Sequence, residues 1–496
     1  MATISDKRAQ LLNTLIKLGH IDRQESERKD STSCDRLNEE DIADGFYDAL
    51  CEIGLEKKDL LFLGPMNSLH SFSKIIRPVR SLENLKICPI LSKSKVKDGG
   101  KKTEDGEEKG RKLQNEGDSS VLHVTSPAES KDVVAIDHVS NHLDSDAFRT
   151  LINGCVNALR TGGTLLMREY LHGSRSEEDL TDHFYFRDVA TTCALLNTAT
   201  SSSGKEGLQL VSASAPDPVG GKQEVTWKYI KVSSDTPEKK LQVFLDAQQY
   251  SKKGILKYEK VFGHRYVSTG GDHTTMEFCR LFHLQRGQKV LDVGCGIGGS
   301  AFFMAQEYGV HVHGVDLSSN MISIGIQRRR EGNFHGVDFE ICNVMTKPFE
   351  PDSYDLVYSR DVILHIDDKR RLFEILFRCL KPGGQFFITD YCCGEKEHSE
   401  EFKDYVKQRG YKLLTVADYG KLLEEVGFVN VKAEDRTKQF VNILRVELAE
   451  FETQESDFLR DFSQADYDEI VNGWSAKTRR CQAGDQAWGM FLAEKK

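Results

Sequence analysis

Long apolar runs are missing from this chain. Nothing approaches the ~18 residues of a membrane span, so no transmembrane helix is expected. The opening stretch, Met1-Ala-Thr-Ile-Ser-Asp-Lys-Arg8, lacks the apolar core of a secretory signal. Basic residues are outnumbered, 67 Lys and Arg against 77 Asp and Glu, for a formal net charge of −10. A phosphate backbone attracts a basic surface, so nucleic acid is not the expected partner. The 12 cysteines include no Cys-x-x-Cys pair. Zinc-type ligand spacing is therefore absent, no metal is expected, and scattered thiols fit a reduced, cytoplasmic protein better than a disulfide frame. Cys392-Cys393 reads as two ordinary strand-end residues.

A chain of 496 residues has room for two to four domains. Ser92 to Ser120 is nearly all charged residues and glycine, with little to bury, and reads as a disordered insertion (92–120). Thr198 to Gly204 is a shorter polar break, and Ser233 to Lys240 looks like a linker. These divide the chain into 1–235 and 236–496. From about Leu241 onward apolar strands alternate with amphipathic helices, the pattern of a parallel sheet covered on both faces. Strands are predicted at Lys289–Val293, His311–Val315, Asp338–Cys342, Tyr354–Ser359, Gly384–Asp390, Phe428–Asp435 and Gln439–Leu448, the last two as a terminal antiparallel pair.

The first half carries a faint echo of the second. Lys131-Asp-Val-Val-Ala-Ile-Asp-His-Val-Ser-Asn-His142 parallels Tyr354-Asp-Leu-Val-Tyr-Ser-Arg-Asp-Val-Ile-Leu-His365. Both continue to a Gly-Gly turn, Gly162-Gly163 or Gly383-Gly384, and then to Glu169-Tyr170 or Asp390-Tyr391. The first copy has no glycine loop: Leu61-Phe-Leu-Gly-Pro-Met66 is its nearest approach.

That loop is the most informative stretch of the second half. Val290-Leu-Asp-Val-Gly-Cys-Gly-Ile-Gly-Gly299 joins a strand to a helix starting near Ser300, and the next strand ends at Asp316. Glycines let backbone N–H groups approach a ligand, and a strand-end acid can hold ribose hydroxyls. Gly294, Gly296 and Gly299 also satisfy the dinucleotide spacing. Asp292, two residues before the first glycine, suits a ligand with an ammonium group and fits a pyrophosphate poorly. S-adenosylmethionine has that ammonium and a sulfonium, so it is the expected cofactor and a nicotinamide is the alternative.

Three further groups could carry chemistry. Tyr250, Tyr258 and Tyr266 recur at eight-residue intervals before Ser268-Thr-Gly-Gly271, and tyrosine offers an aromatic face to a methylated amine. Core packing is the competing explanation for them. Arg360, Asp361 and His365 follow the strand that should end beside the cofactor, and a His or Asp there can take a proton from an amine. Tyr391, Tyr405, Arg409, Tyr411 and Lys477 could capture an anion such as a phosphomonoester. The competing reading for the charged helix is a solvated face.

Taken in order, Tyr-Glu-x-Val-Phe-Gly, Ser-Thr-Gly-Gly, Val-Leu-Asp-Val-Gly-Cys-Gly, Ser-Arg-Asp-Val-Ile-Leu-His, Thr-Asp-Tyr and Tyr-Val-Lys-Gln-Arg-Gly-Tyr resemble the phosphoethanolamine (phosphobase) N-methyltransferases. The resemblance spans roughly Leu241 to the C-terminus. It is nearest to the nematode two-domain type with its active domain C-terminal. It implies an α/β fold: a Rossmann-like class I S-adenosylmethionine-dependent methyltransferase domain after a degenerate methyltransferase-like domain without a donor loop. It implies N-methylation of phosphomonomethylethanolamine and phosphodimethylethanolamine to phosphocholine, feeding phosphatidylcholine synthesis. The alternatives are a three-step enzyme, another small acceptor, or a non-enzymatic scaffold. Carried over residue by residue, Tyr250 and His365 would close over the acceptor, Asp361 would face the amine and Tyr258 would line the acceptor site. Ser268, Asp292, Gly294, Gly296, Asp316, Leu317, Asn343, Val344 and Arg360 would hold the donor. Tyr391, Tyr405, Arg409, Tyr411 and Lys477 would bind the phosphate. Asn343 departs from the family, which often has Asp there; its carbonyl can still accept a hydrogen bond.

Overall fold

Short apolar segments ending in glycine or a polar turn become the strands of one sheet. The computed structural model describes residues 59–63, 124, 126–171, 185–218 and 223–496. The insertion expected at 92–120 lies outside them. The strands are β1 Leu60–Leu63, β2 Lys131–Asp137, β3 Leu159–Tyr170, β4 Glu206–Ala215, β5 Glu224–Ser233, β6 Lys289–Val293, β7 His311–Asp316, β8 Val337–Cys342, β9 Tyr354–Arg360, β10 Leu380–Cys393, β11 Val429–Asp435 and β12 Gln486–Glu494. The helices are α1 Ser145–Ala158, α2 Val189–Asn197, α3 Pro237–Phe244, α4 Lys252–Phe262, α5 Gly271–Cys279, α6 Gly299–Tyr308, α7 Ser319–Glu331, α8 Lys369–Cys379, α9 Glu400–Arg409, α10 Val416–Val426, α11 Thr437–Thr453, α12 Glu455–Asp461 and α13 Gln464–Ala483.

In the second half the sheet order is β8-β7-β6-β9-β10-β12-β11, with parallel pairing through β10 and antiparallel pairing of β12 on both sides. Successive residues go to opposite faces. Val290, Leu356 and Phe387 join one apolar cluster while Leu291, Val357 and Phe386 join another. Burial on both faces is what makes these strands read as unbroken apolar runs. Side-chain caps start several of the helices: Asp368 accepts from the Arg371 N–H ahead of α8, and Ser463 forms a capping box with Asp466 at α13.

Two sequence expectations change. Gln439–Leu448 is not a strand but part of α11, and the antiparallel partner of β11 is β12. The buried residues Phe440, Leu444, Glu447 and Phe451 fall on one helical stripe, which overrides the β-branched composition. The linker is also shorter than expected: β5 runs to Ser233 and α3 begins at Pro237.

The described strands of the first half run β1-β2-β3-β5-β4, with the same orientations as β6-β9-β10-β12-β11. Counterparts of β7 and β8 are not among its described residues. Pairing with β2 and β9 puts Phe62 at the position that Asp292 holds. The halves share one sheet, because β4 pairs antiparallel with β8 from Ser212↔Cys342 to Ala215↔Phe339. Arg329 of α7 reinforces the seam, donating to the Ala215 carbonyl at 3.3 Å and the Val337 carbonyl at 2.7 Å. One apolar cluster runs across it, from Leu61 through Trp227 and Phe339 to Trp488.

Candidate active site

At the carboxyl end of β6, Gly294 and Gly296 have φ of 72° and 55°, conformations that L side chains rarely adopt. A Cβ on Gly294 would also lie 2.4 Å from Val362. The Gly296 N–H donates to Asp316 Oδ2 at 3.0 Å, and the Ser318 N–H donates to Oδ1 at 2.9 Å. Burial pushes Asp316 up to about 6. Burial and the Asp316 charge push the buried Asp292 up to about 7. The Arg360 charge acts against this rise at Asp292 without cancelling it, so two buried acids share a site that favours further positive charge. A ligand carrying an ammonium and a sulfonium answers that need, so the residues fit S-adenosylmethionine.

The other donor-side residues sit around this loop. Leu317 follows Asp316, and its carbonyl accepts from Gln242. Asn343 and Val344 follow β8; Asn343 Oδ1 accepts from the Met345 N–H at 3.0 Å. Ser268 opens the turn into α5, its carbonyl accepting from the Gly271 N–H. Arg360 is buried; it donates to the Thr274 and Thr275 hydroxyls at 2.7 and 3.0 Å and to the Thr269 carbonyl, while its Nε has no partner. Those bonds make it the strut that holds the Ser268 turn over the glycine loop.

On the acceptor side, Tyr250 Oη and His365 Nε2 share a 3.0 Å hydrogen bond that joins the segment before α4 to the turn after β9. Burial, with Lys369 and Arg409 nearby, holds His365 down at about 4, so the imidazole is neutral at ordinary pH. The Tyr411 ring lies 5.3 Å from His365, and Tyr405 lies 5.7 Å from Tyr411. Arg409 is 6.0 Å from the Tyr405 ring. Lys477 donates to Tyr391 Oη at 3.3 Å and sits 4.4 Å over Trp474, whose ring also lies 6.1 Å from that of Tyr258. Burial pushes Lys477 down to about 8. Tyr250, Tyr405, Arg409 and Tyr411 thus form one contact cluster with His365, and Tyr258, Tyr391 and Lys477 a second around Trp474; together they make up the expected acceptor set. Tyr266 does not join it: its ring is buried against Gly299, the packing role that was its alternative.

Asp361 holds the centre. Its φ is 55°, an uncommon left-handed conformation for a non-glycine residue. Oδ1 accepts from Trp488 Nε1 at 2.8 Å and from Thr389 at 3.2 Å. Oδ2 is buried with no hydrogen-bond partner. Burial, and after it the Asp361 charge, raises Tyr391, and the same charge partly offsets the burial that lowers Lys477. A buried carboxylate oxygen left over is costly unless something donates to it, and an amine N–H would.

Several contributors escaped the sequence reading. Arg480 lies 3.7 Å over Tyr405. Glu447 ties the Trp474 indole at 2.9 Å to the Gly270 N–H at 2.7 Å. Asp390 fixes the His365 turn by accepting from the Leu364 N–H at 3.1 Å and from Tyr419 at 3.0 Å. Asp246 is a fourth. Trp488 had no motif around it. Only a strand-end acid before a tyrosine, Asp390-Tyr391, gave a local signal.

The chain matches a family model described as a methyltransferase domain over residues 284–427. It is 44% identical over 389 residues to phosphoethanolamine N-methyltransferase 1 of Triticum aestivum, covering 75% of this chain and 77% of the relative. It is 34% identical over 387 residues to phosphoethanolamine N-methyltransferase 2 of Caenorhabditis elegans, covering 75% and 86%. The solved structure of Haemonchus contortus phosphoethanolamine N-methyltransferase 2, with phosphomonomethylethanolamine and S-adenosylhomocysteine, superposes with a TM-score of 0.73 at 26% identity over 90% of this chain and 98% of that one. The glycine loop, paired acids and tyrosine-lined carboxylate are therefore those of a methyltransferase, and the chain belongs to the phosphoethanolamine N-methyltransferase family.

Proposed function

We propose that this protein methylates phosphomonomethylethanolamine and phosphodimethylethanolamine in succession to phosphocholine, feeding phosphatidylcholine synthesis. The observation that carries the reading is Asp361: one oxygen is anchored and the other is buried, unpartnered and set among tyrosines, where an amine N–H would complete it. S-adenosylmethionine, when bound, supplies an electrophilic methyl group on sulfur. Asp361 Oδ2 accepts the N–H of the incoming ammonium and takes its proton, freeing the nitrogen lone pair for attack. Tyr250 and His365 close over the acceptor and keep water out, and most of the rate gain comes from alignment. Arg409, Lys477 and the hydroxyls of Tyr391, Tyr405 and Tyr411 hold the phosphate by charge-assisted hydrogen bonds. Ser268, Asp292, Gly294, Gly296, Asp316, Leu317, Asn343 and Val344 hold the donor, with Arg360 bracing the Ser268 turn.

Preference for partly methylated acceptors is supported by the same surface. Each added methyl contributes very roughly 0.8 kcal/mol if buried, and aromatic faces attract the cation. Residues 1–235 are read as a degenerate copy. Phe62 stands at the Asp292 position, and Gly64-Pro65 follows where the glycine loop would begin. A cytoplasmic setting is supported by the nine described cysteines, all free thiols. Among the described residues no helix is long and apolar enough to cross a membrane.

Radiolabelled methyl transfer to phosphoethanolamine and to its mono- and dimethyl forms tests the reading. Efficient use of the latter two and poor use of phosphoethanolamine are expected. Comparable catalytic efficiency on phosphoethanolamine would make this a three-step enzyme. Equal use of phosphorylated and free monomethylethanolamine would remove the phosphate anchor.

A further inference from the structure

We propose that Asp246 is a positioning residue that locks the Tyr250 segment onto the donor loop, so that acceptor closure follows donor binding. The inference rests on the reading of Tyr250 and His365 as the closing dyad.

Asp246 lies in a single π-helical turn, Leu245–Gln249, between α3 and Tyr250. Such turns are rare in soluble proteins and recur at functional sites. Its carboxylate is fully engaged. Oδ1 accepts from the Ser318 hydroxyl at 2.9 Å and the Ser319 N–H at 3.0 Å. Oδ2 accepts from the Ser319 hydroxyl at 2.7 Å and Gln242 Nε2 at 2.9 Å. Ser319 is the first residue of α7, so the charge also meets the positive end of that helix. The adjoining residue, Asn320, donates to the carbonyls of both Asp246 and Tyr250, at 2.9 Å each.

The cap of α7 also meets the acid proposed to hold the donor. Ser318, whose hydroxyl serves Asp246, gives its own N–H to Asp316, and Asp316 in turn receives the Gly296 N–H. A continuous set of bonds therefore runs from the glycine loop through Asp316, Ser318 and Asp246 to the backbone carrying Tyr250. Displacing Asp316 disturbs the anchor of Tyr250, and the coupling is reciprocal. Asp246 itself touches neither the proposed amine site nor the phosphate residues.

The first half of the chain backs this junction. Tyr229 of β5 donates to the sulfur of Cys193 of α2 at 3.5 Å, and both residues are wholly buried. The Asp246 charge pushes up both groups, and Ser319 hydrogen-bonds Cys193.

A double-mutant cycle on the full chain tests this. Asp246→Asn keeps the shape and removes the charge; kcat should fall about tenfold or more, with weaker S-adenosylhomocysteine binding by calorimetry. Tyr250→Phe should also lower kcat, and the double variant should be no worse than the poorer single. Losses that multiply, or a kcat for Asp246→Asn within about twofold of normal, would overturn the Asp246 inference and leave the dyad reading intact. An unchanged kcat in Tyr250→Phe would sink the dyad reading and this inference together. If Asp246→Asn does not fold, Ser319→Ala removes one bond of the four and should move kcat and product affinity together, by a smaller factor; movement of neither would count against the proposal.

Discussion

At the carboxyl end of β9 the chain turns through Asp361 with φ of 55°, and at the equivalent point after β2 it turns through His138 with φ of 56°. The backbone device is the same; the side chains have traded roles. Asp361 is anchored by Trp488, which lies opposite Tyr391 in the β10–β12 register. The position opposite Tyr170 in the β3–β5 register is Glu224, so an acceptor stands where the indole donor would be. His138 stacks on Tyr170 at 3.8 Å and lies 3.5 Å from Asp137 and 3.8 Å from Glu224. Arg168 donates to Asp137 at 2.8 Å. In the first half Asp137 keeps Arg168 and His138 beside it although its Oδ2 is also without a hydrogen-bond partner, while in the second the unpartnered Oδ2 of Asp361 lies beyond an indole anchor. The comparison teaches that one backbone turn at one place in a sheet can carry two quite different sets of side-chain contacts.

The largest expected effect breaks the comparison most directly. Asp361→Asn should cost roughly 10²–10⁴ in kcat while S-adenosylhomocysteine affinity, by calorimetry, stays nearly unchanged. His138→Ala, at the same point of the other half, should leave kcat alone. A rate loss from the histidine variant would mean that the first half takes part in the chemistry.

Next comes the anion site. Lys477→Ala should raise the KM for phosphomonomethylethanolamine about 10- to 100-fold with a smaller change in kcat. Lys477 loses its charge near pH 8, so acceptor kcat/KM should fall as pH rises through about 8. A profile flat from pH 7 to about 9 would argue against that lysine. His365, already neutral down to about 4, should contribute no acid limb near 6.5.

The paired acids sharpen the contrast between Asp292 and Phe62. With Asp316 near 6 and Asp292 near 7, a cationic donor should bind best when both are ionised. Affinity should therefore rise as pH climbs from about 5.5 to 7.5, by about tenfold. Calorimetry in buffers of different ionisation enthalpy should show proton release on binding at pH 6.5. Residues 1–235, without these acids, should show no S-adenosylmethionine binding at any pH.

The smallest effect on rate belongs to the seam. A chain starting at 236 should keep its kcat per folded molecule within a few-fold, but with a lower Tm and a tendency to aggregate. Removing β4 exposes the edge of β8, a ready template for pairing with another chain. Full thermal stability in that truncated chain would show that the shared sheet contributes nothing.

Much of the second half was legible along the chain. Strands buried on both faces appear as apolar runs, and the glycine loop announces itself because few side chains tolerate positive φ. The expected set from Tyr250 to Lys477 also converges, with Tyr266 left in the core. Reading failed where composition and environment disagree. Gln439–Leu448 is rich in β-branched and long apolar residues, yet its buried positions repeat at helical spacing. Gln486–Glu494 carries Gly489 and two alanines and shows no alternation, so it resembled nothing, although Trp488 holds the central carboxylate.

By itself, the order of residues determined the class of protein: a glycine loop, an acid before it, an acid one strand later and a tyrosine-rich acceptor set suffice, because each encodes a local geometry or a local charge. Only the tertiary structure decided which carboxylate oxygen is free, that Arg360 is a strut, that Asp246 joins the closing segment to the donor loop, and that the two halves form one sheet through β4 and β8. These depend on atoms tens to hundreds of residues apart being brought within about 3 Å. Asp246 and Ser319 are separated by 73 positions, and Asp361 and Trp488 by 127. Nothing local distinguishes such an aspartate from a solvated one; its partners exist only once the chain has folded around it.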